Sequence, residues 1–258
     1  MPGQYEHVIY ERRGEIAYLT MNRPEVLNAL NRKHQAEIEA AKAEFGADPE
    51  ALVLIMTGAG DRAFCAGADL KQPRDDGAGG GRRETDVDLR YTLPVWKPMI
   101  AAINGWAVGG GLAYAMQCDI RIASETARMG YSEARIGVPG GPSDNWLFPR
   151  YVPVGEAMYW LLTAEFMDAH EAHRIGLVHE VLPAEQLMAR AEAIAKRVAQ
   201  NHQGAVRAIK QAVTVGLSLP FDMSMRFNTE IARAMRNSET GEGRRAFAEK
   251  RTPTYDAT

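Results

Sequence analysis

Cysteine is nearly absent: Cys65 and Cys118 are the only two among 258 residues. Two thiols cannot build a disulfide framework, so a reducing, cytoplasmic setting is the expectation. Nothing approaches the roughly 18 consecutive apolar residues of a membrane-spanning helix. The first thirteen residues contain Glu6 and Glu11 and no apolar stretch of signal-peptide type. An excess of one charge is missing too. Thirty Lys+Arg against 33 Asp+Glu leave a formal net charge of −3, which argues against nucleic acid or a membrane surface as partner. His170 and His173 share a helical face but have no third ligand nearby, and zinc needs three or four, so no metal is expected. Neither cysteine has a basic sequence neighbour to generate a thiolate, and both read as small buried thiols. No internal repeat is found. What remains is an ordinary globular composition, 46% hydrophobic and 24% charged, with 24 glycines.

The first half of the chain alternates buried-strand and helix patterns. Ile16–Met21 reads as a short strand between Gly14 and the Asn22-Arg23-Pro24 turn. Asn31 reads as a helix cap, Ile38, Ala41 and Phe45 keep helical spacing, and Gly46 stops the run. Ala51–Thr57 and Met99–Ile103 are nearly continuous apolar runs, as expected of strands covered on both faces, and Asp119–Ala123 is a shorter third. Repeated β–α units follow. From about Asn145 the pattern is mostly helical. Asp168 and Glu171 make a capping box, Val178–Leu182 reads as a short strand, and amphipathic stretches cover Ala184–Gln200, Ala205–Leu217 and Phe221–Asn237. The segment Gln72–Asp88 is rich in Gly, Arg and Asp and cannot supply a packed core; it is expected to be a mobile loop. Its Arg82-Arg83 reads as a solvated pair, with a phosphate contact left open.

Two small-residue turns carry the chemistry. Phe64-Cys65-Ala66-Gly67-Ala68-Asp69-Leu70 comes shortly after the run Ala51–Thr57. Asn104-Gly105-Trp106-Ala107-Val108-Gly109-Gly110-Gly111 comes directly after Met99–Ile103. Small residues let a ligand reach the backbone, and glycine permits dihedrals that aim N–H groups at one point. The second turn also opens a helix over Leu112–Gln117, whose free N–H groups and dipole favour negative charge. Two such turns side by side supply one donor each to a developing oxyanion. Removing one such donor costs about 3–4 kcal/mol of transition-state stabilisation. The run Gly58-Ala59-Gly60-Asp61-Arg62-Ala63 also fits a dinucleotide fingerprint. However, another small-residue turn follows it where a long helix is required, and a nicotinamide enzyme is set aside.

The blocks NRP-x-x-LNAL (Asn22–Leu30), TGAGDRAFCAGADL (Thr57–Leu70), KPMIAAINGWAVGGGLAYAMQCDIRIAS (Lys97–Ser124), SEARIGVPGG (Ser132–Gly141) and EGRRAFAEKRTP (Glu242–Pro253) resemble the crotonase superfamily, the enoyl-CoA hydratase/isomerase family. The resemblance spans nearly the whole chain. It implies an α/β fold: a spiral core of repeated β-β-α turns over residues 1–195, holding the CoA and active site. A helical region over 196–258 would trimerise and complete the CoA site. Family members are usually trimers or dimers of trimers. No tightly bound cofactor is implied, since coenzyme A enters as part of the acyl-CoA substrate.

By position, the resemblance makes the Ala68 and Gly110 amides an oxyanion hole for the thioester carbonyl. Val26, Leu27, Ala66, Asp69, Leu70, Trp106 and Gly109 fall on the CoA and substrate path. Lys71 falls where a cation often meets the CoA phosphates. Phe247 and Lys250 fall where the C-terminal region completes the site. Of the two carboxylates of a typical hydratase, one falls on Glu133 and the other position holds Ala113. Gly141 falls where a family glycine holds the water. One carboxylate suffices to move a proton between two carbons of an enolate, so three reactions stay open: hydration of a 2-enoyl-CoA, Δ3,Δ2-enoyl-CoA isomerisation and a hydroxycinnamoyl-CoA hydratase-lyase reaction. So does a non-catalytic acyl-CoA-binding relative. Tyr114, Tyr131, Asp144 and Trp146, with Ala113, are the candidates for the acyl pocket. Tyr131, Asp144 and Asn145 are also candidates to replace the missing acid. Asp144 has a helix-capping alternative, and Trp106, Tyr114 and Trp146 have core packing as theirs.

Overall fold

The computed structural model describes residues 5–70, 95–236 and 241–255. The chain opens with a hairpin of β1 (Val8–Arg13) and β2 (Ile16–Met21), turned at Gly14 with φ +61°. Helix α1 (Arg32–Ala47) follows, its first turn capped where the Asn31 side chain accepts the His34 N–H at 2.6 Å. Ile38, Ala41 and Phe45 are fully buried on its inner face. The helix runs one residue past Gly46.

Three strand pairs then wind the core. β3 (Val53–Gly58) leads to β4 (Ala63–Cys65), β5 (Met99–Ile103) to β6 (Trp106–Val108), and β7 (Ile120–Ser124) to β8 (Arg128–Gly130). Helix α2 (Gly110–Gln117) sits between the second and third pairs. The first member of each pair lies in a six-stranded sheet ordered β1-β2-β3-β5-β7-β10, with β10 at Glu180–Leu182. The second member lies in a four-stranded sheet ordered β4-β6-β8-β9, with β9 at Phe166–Asp168. Except for the antiparallel β1–β2 and β8–β9 pairs, the strands run parallel. The chain therefore steps from one sheet to the other in every repeat, always through a short turn, and those turns line up along one edge. This is the expected β-β-α spiral.

The continuous apolar runs follow from burial on both faces. Along β3, Leu54 and Met56 point into the main core, while Val53 and Ile55 face the other way. That second face is covered by α6 (Leu187–Ala199) through Leu187, Ala191 and Ala195, spaced four residues apart. The boundary expected at residue 195 falls inside this helix.

Beyond β8, Glu133–Ile136 forms a single 3₁₀ turn closed by Gly137 at φ +72°. Helices α3 (Pro142–Tyr151), α4 (Val154–Thr163) and α5 (Ala169–Arg174) follow. α3 starts at Pro142 rather than Asn145, because Pro fits the first helical position and Gly141 takes the cap. Asp168 caps α5 by accepting the Glu171 N–H at 2.9 Å. The C-terminal helices are α7 (Gln203–Gly216), α8 (Phe221–Arg236) and α9 (Gly241–Ala248). Ile209, Val213 and Leu217 of the α7 segment and Phe221 and Met223 of α8 stand exposed, from 52% to 79%. The segment Gln72–Asp88 lies outside the described residues. Among the described residues, no helix is long and apolar enough to cross a membrane.

Candidate active site

Glycine lets the two small-residue turns meet. A Cβ on Gly67 would lie 2.6 Å from the Val108 carbonyl oxygen, and one on Gly111 would lie 2.1 Å from that of Cys65. Any larger residue at either position would push the turns apart. The contact sets Ala66–Asp69 against Val108–Gly111, at the point where α2 begins.

Both turns then present a main-chain donor. Leu30 forms a parallel bridge to Ala68. Its N–H donates to the Gly67 carbonyl at 2.7 Å and its own carbonyl accepts the Asp69 N–H at 3.0 Å. Successive peptide groups of an extended segment point to opposite sides. Because Gly67 and Asp69 are tied to Leu30, the Ala68 N–H points away from it. Gly110 is the first residue of α2, and the first N–H groups of a helix have no partner within it. Among the described residues, neither the Ala68 nor the Gly110 amide donates a hydrogen bond. Ala68 is exposed and Gly110 half-buried.

The carboxylate beside them is Glu133. It starts the 3₁₀ turn after β8, and its carbonyl accepts the Val138 N–H at 3.0 Å. Its Oε2 is buried from solvent. A Cβ on Gly109 would sit 2.3 Å from Glu133 Oε1, so this carboxylate packs directly on the turn that carries the Gly110 amide. Gly109 adopts φ +51° and ψ −120°, a conformation reserved for glycine. The missing side chain thus serves twice, permitting the dihedral and making room for the acid.

The other expected site residues lie at several places in the fold. Val26 and Leu27 are half-buried at the end of the Pro24–Val26 3₁₀ turn, and Ala66 N–H donates to the Leu27 carbonyl at 3.0 Å. This places the Val26–Leu30 segment along the first turn. Leu70 is 66% exposed beyond it. Ala113, fully buried, lies in the first turn of α2 with its N–H on the Gly109 carbonyl at 2.9 Å. The Gly141 amide donates to Asp144 Oδ2 at 2.9 Å, and Asp144 is buried, which is the capping geometry of the third helical residue.

The aromatic candidates are dispersed. Tyr131 is buried, its hydroxyl 3.7 Å from Met116 Sδ and its ring 5.5 Å from Phe148. Tyr114 is buried beneath Lys42, whose Nζ lies 5.7 Å from the ring centre. Trp106 is 39% exposed and meets Phe166 edge-on at 5.2 Å. Trp146 lies under the Arg150 guanidinium at 3.6 Å and lines a groove of about 380 Å³ with Leu147, Tyr151, Val206 and Ile209. Phe247, 87% exposed, is the next-to-last residue of α9, and Lys250 follows the helix in a left-handed conformation with φ +53°. Lys71 lies outside the described residues.

Sequence reasoning passed over the residues that hold these turns. Asn28 is fully buried, with φ +56°. Its Nδ2 donates to the carbonyls of Ala59 at 3.1 Å and Ala63 at 2.8 Å, and its Oδ1 accepts the Arg23 N–H at 2.9 Å. Asn104 Nδ2 donates to the carbonyls of Gly58 and Gly60 at 2.9 and 2.8 Å. Asp69, expected on the CoA and substrate path, turns its side chain to Arg23, 3.2 Å away. A left-handed Asn in LNAL was the one visible signal, since Asn tolerates that conformation better than most residues.

Residues 11–258 match the family described as enoyl-CoA hydratase/isomerase. The chain is 36% identical over 252 residues to an (E)-benzylidenesuccinyl-CoA hydratase of Thauera aromatica, covering 96% of this chain and 98% of that one. It is 38% identical over 253 residues to a short-chain-enoyl-CoA hydratase of Clostridium acetobutylicum, covering 96% and 97%. The crystal structure of an enoyl-CoA hydratase from Bacillus anthracis superimposes with a TM-score of 0.89 at 31% identity, covering 98% of this chain and all of that one.

Proposed function

The chain belongs to the enoyl-CoA hydratase/isomerase family, with the crotonase fold, and from that premise we propose that it adds water to a 2-enoyl-CoA with Glu133 as its single acid–base group. The observation that carries this reading is the packing of Glu133 on Gly109, beside the turn that opens with the Gly110 amide. The thioester carbonyl accepts from the amides of Ala68 and Gly110, which draws electron density from Cβ. Glu133 takes a proton from water as its oxygen bonds to Cβ, the C=C electrons become an enolate on the thioester oxygen, and the same carboxyl returns the proton to Cα. Hydroxyl ends on Cβ and hydrogen on Cα, and Glu133 is regenerated. The amides act where charge develops, in a preorganised site, which is the largest contribution such a fold supplies.

Ala113 favours a second reading. With one carboxylate near the enolate, a 3-enoyl-CoA loses a proton from Cα to Glu133 and regains it at Cγ, an isomerisation that needs no bound water. The hydratase names of the relatives support the first reading, and the aryl group in one of those names supports testing an aromatic acyl chain. Coenzyme A enters with the substrate, and the cytoplasm is the proposed compartment, supported by two buried free thiols. The exposed apolar faces of α7 and α8 support assembly into a trimer or a dimer of trimers, with Phe247 and Lys250 offered to a neighbouring subunit's CoA site.

The test is steady-state turnover of crotonyl-CoA, a 3-enoyl-CoA and cinnamoyl-CoA, read through the conjugated-thioester absorbance. Glu133→Gln is expected to lower turnover about 10³-fold or more with CoA-ester binding nearly unchanged. Full activity in that variant removes Glu133 from the mechanism, and turnover of the 3-enoyl ester alone selects the isomerase.

A further inference from the structure

Arg23 and Asp69 form an ion pair beneath the first turn. Their side chains are only 9% and 11% exposed, and Arg23 Nη2 lies 3.2 Å from Asp69 Oδ2. The same guanidinium donates from Nη1 to the Ala29 carbonyl at 2.6 Å. Arg23 therefore grips the residue before Leu30 with one nitrogen and the residue after Ala68 with the other. Leu30 and Ala68 are the two members of the bridge that turns the Ala68 N–H outward. The main chain around Arg23 is itself fixed, since its N–H donates to Asn28 Oδ1 and its carbonyl accepts the Asn28 N–H at 2.8 Å.

We propose that the Arg23–Asp69 pair positions the Ala68 N–H for the thioester oxygen. This inference rests on the enoyl-CoA reading of the site. Neither side chain touches the reacting atoms; they act by holding Ala29–Leu30 and Asp69 in register. Without the pair, the Leu30 hydrogen bonds to Gly67 and Asp69 still turn the Ala68 N–H outward, but the side-chain brace that holds the two segments in fine register is gone. Loss of alignment at one donor of two costs rate rather than affinity, because the hydrogen bond strengthens as charge develops on the oxygen. A buried guanidinium with two fixed partners suits this task, since its planar fork presents both donors in one geometry.

The test follows the carbonyl itself. A para-dimethylamino cinnamoyl-CoA bound to the wild-type protein is expected to show a red-shifted conjugated band, because two N–H donors polarise its thioester carbonyl. Asp69→Ala is expected to lose most of that shift and to lower kcat by about 10–100-fold with KM within about threefold. Asp69→Asn keeps the side-chain size and an acceptor for Arg23, and is expected to recover part of both. If Asp69→Ala does not fold, Asp69→Asn and Arg23→Lys carry the same two readouts, each expected to show a reduced shift. An unchanged red shift in the variants overturns the positioning role, whether kcat falls or not. A wild-type protein that binds the probe without any shift overturns the enoyl-CoA reading, and the inference falls with it.

Discussion

Asn28 and Asn104 clamp the same short stretch of chain: Asn28 holds the Ala59 and Ala63 carbonyls, and Asn104 holds those of Gly58 and Gly60. Gly58 leaves no room for anything but hydrogen, since a Cβ there would lie 2.2 Å from the Ala63 carbonyl oxygen and 2.8 Å from Asn28 Nδ2. The connection between β3 and β4 is thus fixed by two side chains from distant loops, and the Ala66–Asp69 turn inherits its place from it.

Asn28→Ala is expected to cost about 3–4 kcal/mol of stability. It strands the buried Ala63 carbonyl, the part-buried Ala59 carbonyl and the Arg23 N–H and puts an Ala into a left-handed conformation. Asn28→Asp matches the volume but sets an oxygen against two carbonyl oxygens, so it is expected to recover nothing. Urea unfolding of the two variants checks this, and an Asp variant close to wild type would contradict it.

Gly109→Ala is expected to lower turnover by about 100-fold or more, since the new Cβ claims the space of Glu133 Oε1 and a glycine-only dihedral must relax. Gly14→Ala offers a control, because φ is positive there too but nothing lies within 4 Å of its Cβ. Steady-state kinetics on both would separate the collision from the strain. Equal activities would mean that Glu133 does not depend on this contact.

His34 makes stability depend on pH. Burial pulls its imidazole down to about 4 from the ordinary 6.5, outweighing the hydrogen bond to the Ala29 carbonyl, and the Arg23 charge adds to the lowering. Between those values the unfolded chain binds the proton and the folded chain does not. Stability is therefore complete above about pH 6.5 and is lost as the pH falls toward 4, by about 3 kcal/mol from this residue. His34→Asn keeps a donor for Ala29 and removes the titration. Its unfolding free energy is expected to be flatter than that of wild type over this window, and parallel curves would discard the assignment.

The exposed stripe of Ile209, Val213 and Leu217 tests the assembly. Light scattering after gel filtration is expected to give three or six subunits for the wild type and a smaller species for Leu217→Glu, since a charge in an apolar interface is strongly unfavourable. A monomeric wild type would refute the proposed trimer.

Elements whose determinants are local were legible in the sequence. The bounds of β2 and β5 are those expected, because each is a short, mostly apolar run ended by a turn. Asn31 and Asp168 cap the helices they were expected to cap, because a cap reaches only three residues along the chain. The strands β4, β6, β8 and β9 were not legible. Each has three residues, too few for any period, and becomes a strand only by pairing in the second sheet. For a related reason the sequence left open whether the aromatic residues line a pocket or pack the core: composition near Glu133 does not say which face a side chain takes, and Tyr114 and Tyr131 turn into the core.

The sequence by itself determined where side chains are missing: glycine at 67, 109 and 111, and alanine at 66, 68 and 113, which bounds what backbone conformations and approaches are available. Only the tertiary structure decided what fills those spaces. Glu133 comes to Gly109, Cys65 to Gly111 and Arg23 to Asp69 because β3–β4, β5–β6 and β7–β8 step between two sheets in register. Contacts between residues far apart in the chain depend on that registry, and no local propensity encodes it.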